Sequence, residues 1–365
     1  MSITKEAVLE ALKNVDDPDL HKDIVTLGMV KDLIVEGKNV SFSVELTTPA
    51  CPMKEMIHKA SVNAVLHFVD KEANVNVKMT SNVTSKRGGA SDKPVLKGVK
   101  NIVAIASGKG GVGKSTIASN LAVALARQGA KVGFVDADIY GPSMPMMFDM
   151  MNEKPLLKNI EGKNMLIPVE NYGVKVLSIG FFAEKDQAIV WRGPMASRAM
   201  NQMFSDAEWG ELDYMLIDLP PGTGDIHLSL VSAVPLTGAI IVSTPQDVAL
   251  ADATKAVYMF KMPAINVPVL GIVENMAWFT PEELPNNKYY IFGKDGAKLL
   301  AAKCDVPLLG QIPLVQSIRE AGDAGRPAAL QDGTPQSEAF AKLAESVAQQ
   351  IAIRNATKEP TKVMA

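Results

Sequence analysis

The segment GKGGVGKST at 108–116 limits what this chain can fold into more than any other. An apolar run, NIVAIAS at 101–107, precedes it, and TIASNLAVALARQG, rich in helix-forming residues, follows it. Strand, glycine-rich loop and helix form the setting in which GxxxxGK[ST] works as a phosphate-binding loop. The glycines let successive backbone N–H groups turn inward as an anion nest, and the helix N-terminus adds its positive end. Gly108, Lys109, Gly110, Gly111, Val112 and Gly113 then form the cradle. Lys114 reaches the β- and γ-phosphates, the Ser115 hydroxyl ligates Mg²⁺, and Thr116 bonds the α-phosphate. The predicted ligand is a nucleoside triphosphate with Mg²⁺.

Beyond the loop, apolar runs recur: KVGFVDAD, GVKVLSIG, YMLIDLPPG, GAIIVSTPQD, VPVLGIVENM and VPLLGQIP. Most are continuous rather than alternating, as in strands buried on both faces, and helical stretches separate them. This predicts an α/β fold, a doubly wound and mostly parallel P-loop NTPase sheet with helices on both sides. Asp218 ends YMLID, where a carboxylate holds the Mg²⁺ water shell. It leads into LPPGTGD, a loop suited to sensing the γ-phosphate. Asp136 and Asp138 end the strand after the P-loop helix, at the sheet edge where ligands sit. One of the two can orient an attacking water; the alternative for each is a helix N-cap.

Residues 1–80 read as a small α+β domain. Ile3, Val8, Leu9 and Leu12 have helical spacing, VSFSVEL alternates like a half-buried strand, a helix follows TTPACPM, and ANVNVKM alternates again. Residues 81–100 are polar, basic and aperiodic, and read as a linker. Residues 101–353 are the ATPase domain. The helix SEAFAKLAESVAQQIAI packs through Phe340, Leu343, Val347 and Ile351, and 354–365 reads as a polar, frayed tail.

A net charge of −3 gives no global basic field to recruit nucleic acid. No window approaches the roughly 18 unbroken apolar residues of a membrane span. The first twenty residues lack a signal peptide's apolar core, so the expected compartment is the cytoplasm. Cys51 and Cys304 are the only cysteines and form no CxxC pair, and the four histidines lack zinc-site spacing.

With its additional lysine, Lys109, GKGGVGKST resembles the deviant Walker-A ATPases, the group of MinD, ParA and the nitrogenase iron protein. VDADIYGPS, WRGPM (191–195), WGELDYMLIDLPPGTGD (209–225), STPQDVALAD (243–252) and GIVENM (271–276) resemble the Mrp/ApbC family of iron–sulfur cluster carrier ATPases. DP at 17–18, LG at 27–28 and TTPACP at 47–52 are similar to the small domain fused in front of such proteins. The resemblance covers nearly the whole chain. It implies an ATPase that works as a homodimer around two ATP molecules and hands iron–sulfur clusters to apoprotein clients. It implies that Lys109 reaches the partner's ATP phosphates in trans, that Asp138 orients the hydrolytic water, and that Asn275 reads the adenine edge, the alternative for Asn275 being a strand-end turn cap.

The chain departs from that pattern at one place. Such proteins usually carry CPxC shortly after ENM, and two pairs across a dimer would hold a [4Fe–4S] cluster. Here the segment reads ENMAWFTPEELPNNKYYIFG, without cysteine. Glu282 and Glu283 are hard ligands, poorly matched to such a cluster, and read as a solvated turn. Cys51, in a turn before a helix, becomes the candidate thiolate for a cluster or partner, against the alternative of a small packed hydrophobe. Cys304 reads as packing. Two alternatives stay open: a MinD/ParA-like positioning switch, and an ATPase chaperone for another metalloprotein.

Overall fold

The computed structural model describes residues 3–86, 95–182, 193–224, 227, 231, 233–281 and 283–361. The chain forms two compact units, Met1–Thr84 with Ala348–Lys358, and Ser85–Val347 with Glu359–Ala365. Residues 87–94 of the expected linker, Trp191, Arg192, Asp225, Glu282 and 362–365 lie outside the described residues.

The first unit opens with α1 (Lys5–Leu12), capped where the Thr4 hydroxyl accepts the Ala7 N–H at 3.2 Å. Two short strands, β1 (Asp16–Asp17) and β2 (Lys22–Asp23), pair antiparallel. Strands β3 (Val30–Glu36) and β4 (Asn39–Leu46), helix α2 (Lys54–Phe68) and β5 (Asn74–Ser81) then build a three-stranded sheet in the order β3-β4-β5. The alternation in β4 buries Val40, Phe42, Val44 and Leu46 against Val8, Leu12, Ile57 and Val65. At roughly 1.5–3 kcal/mol per buried large aliphatic or phenyl side chain, these residues supply the unit's main stabilisation. Strand β3 escapes the alternation rule for a physical reason. Asp32 takes left-handed backbone (φ 52°), and the pairing with β4 slips between Lys31 and Ile34, which breaks the period of two.

The second unit runs β6 (Val99–Ala106), α3 (Lys114–Arg127), β7 (Val132–Asp136) and a single turn, α4 (Met144–Met147). It continues with the hairpin β8 (Leu156–Ile160) and β9 (Lys163–Ile167), then β10 (Val169–Asn171), β11 (Val174–Ser178), α5 (Gly193–Ser205) and β12 (Leu212–Asp218). Strand β13 (Gly238–Ser243), α6 (Asp247–Lys261), β14 (Val269–Phe279), α7 (Gly296–Lys303), β15 (Leu308–Leu314) and α8 (Gln316–Asp323) follow, and helix α9 (Pro335–Thr357) belongs to this unit through Val347 and to the first unit from Ala348. The sheet order is β10-β11-β7-β12-β6-β13-β14-β15, parallel throughout except for β10. Every residue of β7 and β13 is buried, which is why those runs are apolar without alternation.

The chain leaves β6 toward β7 on one side, and later crosses from β12 to β13 on the other. The carboxyl ends of β6 and β12 therefore flank the point where the winding direction changes, and a crevice for ligand opens there. Periodicity does not signal the hairpin β8–β9, because none of its strand residues is buried and no apolar face alternates with a polar one. Its turn did leave a mark: Glu161 and Gly162 have φ of 50° and 83°, the doubly positive backbone of a tight hairpin. Cys304 is 5 % exposed within the core beside Leu300 and Ala301, in keeping with packing. At the C-terminus, helix α9 continues through Thr357, and Arg354 and Asn355 are buried. Composition marked those residues as tail. They are instead ordered because Asn355 donates to the Thr84 carbonyl at 3.0 Å, a partner that composition does not reveal.

Candidate functional site

The segment 108–116 links β6 to α3 as the spacing predicts. Gly111 and Gly113 have φ of 81° and 80°, a left-handed backbone that side chains resist. Gly108 serves differently. A Cβ there would lie 2.1–2.2 Å from the Asp252 carbonyl group, so α6 packs directly on the loop's first residue. Ser107 donates to the Lys109 carbonyl at 2.9 Å and closes the loop's base. Ser115 and Thr116 lie in the first turn of α3, at the positive end of its dipole.

The acidic strand ends converge on Lys114. Its ammonium lies 2.7 Å from Asp218 Oδ1 and 3.4 Å from Asp138 Oδ2, and only 6 % of the lysine is exposed. The Ser115 hydroxyl donates to Asp218 Oδ2 at 2.6 Å. Asp218 is fully buried; burial raises its pKa, against the opposing pull of Lys114. Asp138 Oδ1 accepts the N–H groups of Tyr140 and Gly141 at 3.2 and 3.3 Å, which fixes its carboxylate at the loop after β7. A serine hydroxyl beside a carboxylate is a hard-oxygen pair of the kind Mg²⁺ selects, so the donor set fits the expected cation. Among the described residues no group of three or more His, Cys, Asp or Glu side chains is arranged to hold a metal by itself.

Asp136 has a different environment. It accepts from Ser178 Oγ at 2.8 Å and from the N–H groups of Met144 at 3.1 Å and Asp138 at 3.2 Å. It thus ties β11 and the start of α4 to the end of β7; it is not itself a helix N-cap, since that position of α4 is Ser143. Burial, reinforced by the charge of Asp218, pushes its carboxyl up to about 7. The unfolded carboxyl titrates near 3.9, so the folded state binds the extra proton between about pH 4 and 7. Nucleotide-free protein should therefore lose stability as pH rises through that window, by an amount on the order of a few kcal/mol. Urea midpoints measured from pH 4 to 8 should slope less in Asp136→Asn than in the wild type; identical slopes would assign the proton elsewhere.

Two contacts were invisible in the sequence. His227, 2 % exposed, has Nε2 at 2.7 Å from the Pro220 carbonyl, bracing the LPPGTG loop, and burial lowers its pKa. A histidine eight residues into a loop-and-helix segment carries no periodic signal. Asn275, 6 % exposed, sits directly beneath the P-loop, with Nδ2 donating to the Val112 carbonyl at 2.9 Å. The remaining candidates stand apart from this cluster. Cys51 is half-buried in the turn before α2 and lines a small cavity with Asp17, Asp19, Thr47, Thr48 and Gln349, all within the first unit. Glu283 is exposed in a turn.

A glycine-rich nest at a helix N-terminus, with a lysine and two carboxylates at the carboxyl edge of a parallel sheet, defines a P-loop NTPase. The chain belongs to the ParA family described as NUBPL iron-transfer P-loop NTPase, which matches residues 98–350; residues 5–79 match the family described as iron–sulfur cluster assembly protein. It is 45 % identical over 350 residues to an iron–sulfur cluster carrier protein of Synechocystis, covering 96 % of this chain and 97 % of the relative. It is 44 % identical to the iron–sulfur cluster carrier protein of Deinococcus radiodurans, covering 97 % and 98 % of the two chains. Among solved structures, it is similar to a nucleotide-binding protein of Archaeoglobus fulgidus in complex with ADP. The TM-score is 0.57 and the identity 37 %, over 66 % of this chain and 91 % of that one.

Proposed function

We propose that this protein is an ATP-hydrolysing carrier that delivers iron–sulfur clusters to apoprotein clients, acting as a homodimer that encloses two ATP molecules. The observation that carries the reading is the convergence of Lys114, Ser115, Asp138 and Asp218 on one P-loop, in a chain matched nearly end to end by named cluster carriers. The P-loop N–H groups and Lys114 bind the phosphates. For Lys114 to do so, its ammonium must leave Asp218. The carboxylate is then free to organise the Mg²⁺ water shell beside Ser115. When bound, Mg²⁺ neutralises charge that develops on the β- and γ-phosphate oxygens. Asp138 orients water for attack on the γ-phosphorus, and Lys109 of the opposite protomer stabilises the charge in trans. Hydrolysis then changes the dimer's contacts and, with them, its hold on cargo. The compartment proposed with this reading is the cytoplasm; no described helix is long and apolar enough to cross a membrane.

The cluster is cargo, and its ligands are proposed at Cys51, because Cys304 would have to leave a packed core to reach it. Anaerobic incubation of the full chain with iron and sulfide should produce charge-transfer absorbance, reduced in Cys51→Ser. Mixing with an apoprotein that accepts a [4Fe–4S] cluster should restore that client's activity faster with ATP than without it. Absence of both the absorbance and any ATP effect on transfer would rule out cluster carriage.

A further inference from the structure

We infer that Asn275 is a positioning residue that latches the P-loop in its phosphate-binding shape, a role separate from any contact that the rest of its amide makes with the nucleotide base. The inference rests on the P-loop reading above.

Three observations converge on it. First, Asn275 donates from Nδ2 to the Val112 carbonyl at 2.9 Å, and both residues are buried, at 6 % and 2 % exposure. Second, Gly113 leaves room for that side chain: a Cβ there would lie 2.2 Å from Asn275 Nδ2. The absence of a side chain at 113 is therefore required twice, by its φ of 80° and by Asn275. Third, strand β14 is distorted where the latch sits. Met276 has a φ of 55°, uncommon away from glycine, and the pairing of β14 with β15 is irregular between Asn275 and Phe279. A bulge at a strand end re-aims the neighbouring side chains, and stored backbone strain concentrates at working sites.

The geometry of a peptide unit says what the latch does. Peptide bonds here are trans, so the Val112 C=O and the Gly113 N–H belong to one plane and point in opposite directions. Holding the carbonyl toward Asn275 aims the Gly113 N–H away from it, to the side of the loop where the anion nest lies. Without the amide donor the Val112 carbonyl is buried and unpaired. The peptide would then gain by rotating toward water, carrying the Gly113 N–H out of the nest. An interaction of this kind acts on phosphate binding whatever base the nucleotide carries.

Binding of Mg–ATP, Mg–GTP and Mg–tripolyphosphate to the full chain, measured by calorimetry, separates the two roles. Asn275→Ala removes the donor, and Asn275→Leu removes it while keeping most of the side-chain volume. Each variant should weaken all three ligands by about 5- to 100-fold, the base-free Mg–tripolyphosphate included; a change in the ATP-to-GTP ratio on top of that loss measures base contact by the rest of the amide. Melting of the nucleotide-free protein checks that each variant is folded, and amide exchange at Gly113 should accelerate in both. A loss confined to ATP, or no loss for any ligand in either variant, overturns the latch. Failure of the wild type to bind any of the three overturns the P-loop reading itself, and the latch with it.

Discussion

Lys114→Ala should abolish ATP turnover, with a fall of at least about 10³-fold, since the removed ammonium carries both phosphate binding and transition-state charge. The same substitution should also change the nucleotide-free protein. Lys114 is the cation between Asp218, which is fully buried, and Asp138, which is 8 % exposed. Breaking a buried pair costs about 3–5 kcal/mol when the remaining charge stays ionised. Asp218 has another course, because burial already raises its pKa and losing the lysine raises it further. A carboxyl with a raised folded-state pKa takes up a proton on folding. It therefore favours the folded state at low pH, and that advantage is lost as pH rises toward the folded pKa. The stability gap between Lys114→Ala and wild type should be wide at pH 8 and narrow at pH 5 in urea titrations. A gap independent of pH would mean that Asp218 stays charged and finds another partner.

Lys109→Ala should separate binding from hydrolysis. If Lys109 acts across a dimer, the variant should bind Mg–ATP within about threefold of wild type, lose roughly 10³-fold in hydrolysis, and fail to dimerise with ATP. Its backbone role should survive, because the loop uses the Lys109 carbonyl, which accepts the Ser107 hydroxyl at 2.9 Å, and not the ammonium. Single-turnover rates and light scattering with ATP measure the two effects. Intact hydrolysis together with intact ATP-dependent association would remove the trans role. The contrast between the two lysines is itself diagnostic: Lys114 should be needed by each protomer, and Lys109 by the pair.

The nucleotide site was readable because its chemistry is local. The residues 108–116 are contiguous, strand and helix flank them, Asp218 ends a buried strand and Asp138 lies two residues past the end of another. Contacts that depend on strands distant in sequence left no such trace. Asn275 and Val112 are 163 residues apart and meet only because β14 and the P-loop share one edge of the sheet. Asp136 and Asp138 look equivalent in VDAD. Two residues apart, they take different work: Asp136 turns into the body of the fold toward Ser178, and Asp138 faces Lys114.

By itself, then, the order of residues determined the parallel sheet, the phosphate loop and the candidate carboxylates near its strand ends, since runs of buried side chains and glycine-rich loops are properties of short segments. It also showed that the segment after ENM contains no cysteine. The tertiary structure alone decided which carboxylate pairs with Lys114, that Asp136 is held inside the fold, and that Asn275 reaches the Val112 carbonyl. Those outcomes depend on burial and on which strand ends are neighbours, and both exist only once the sheet has assembled.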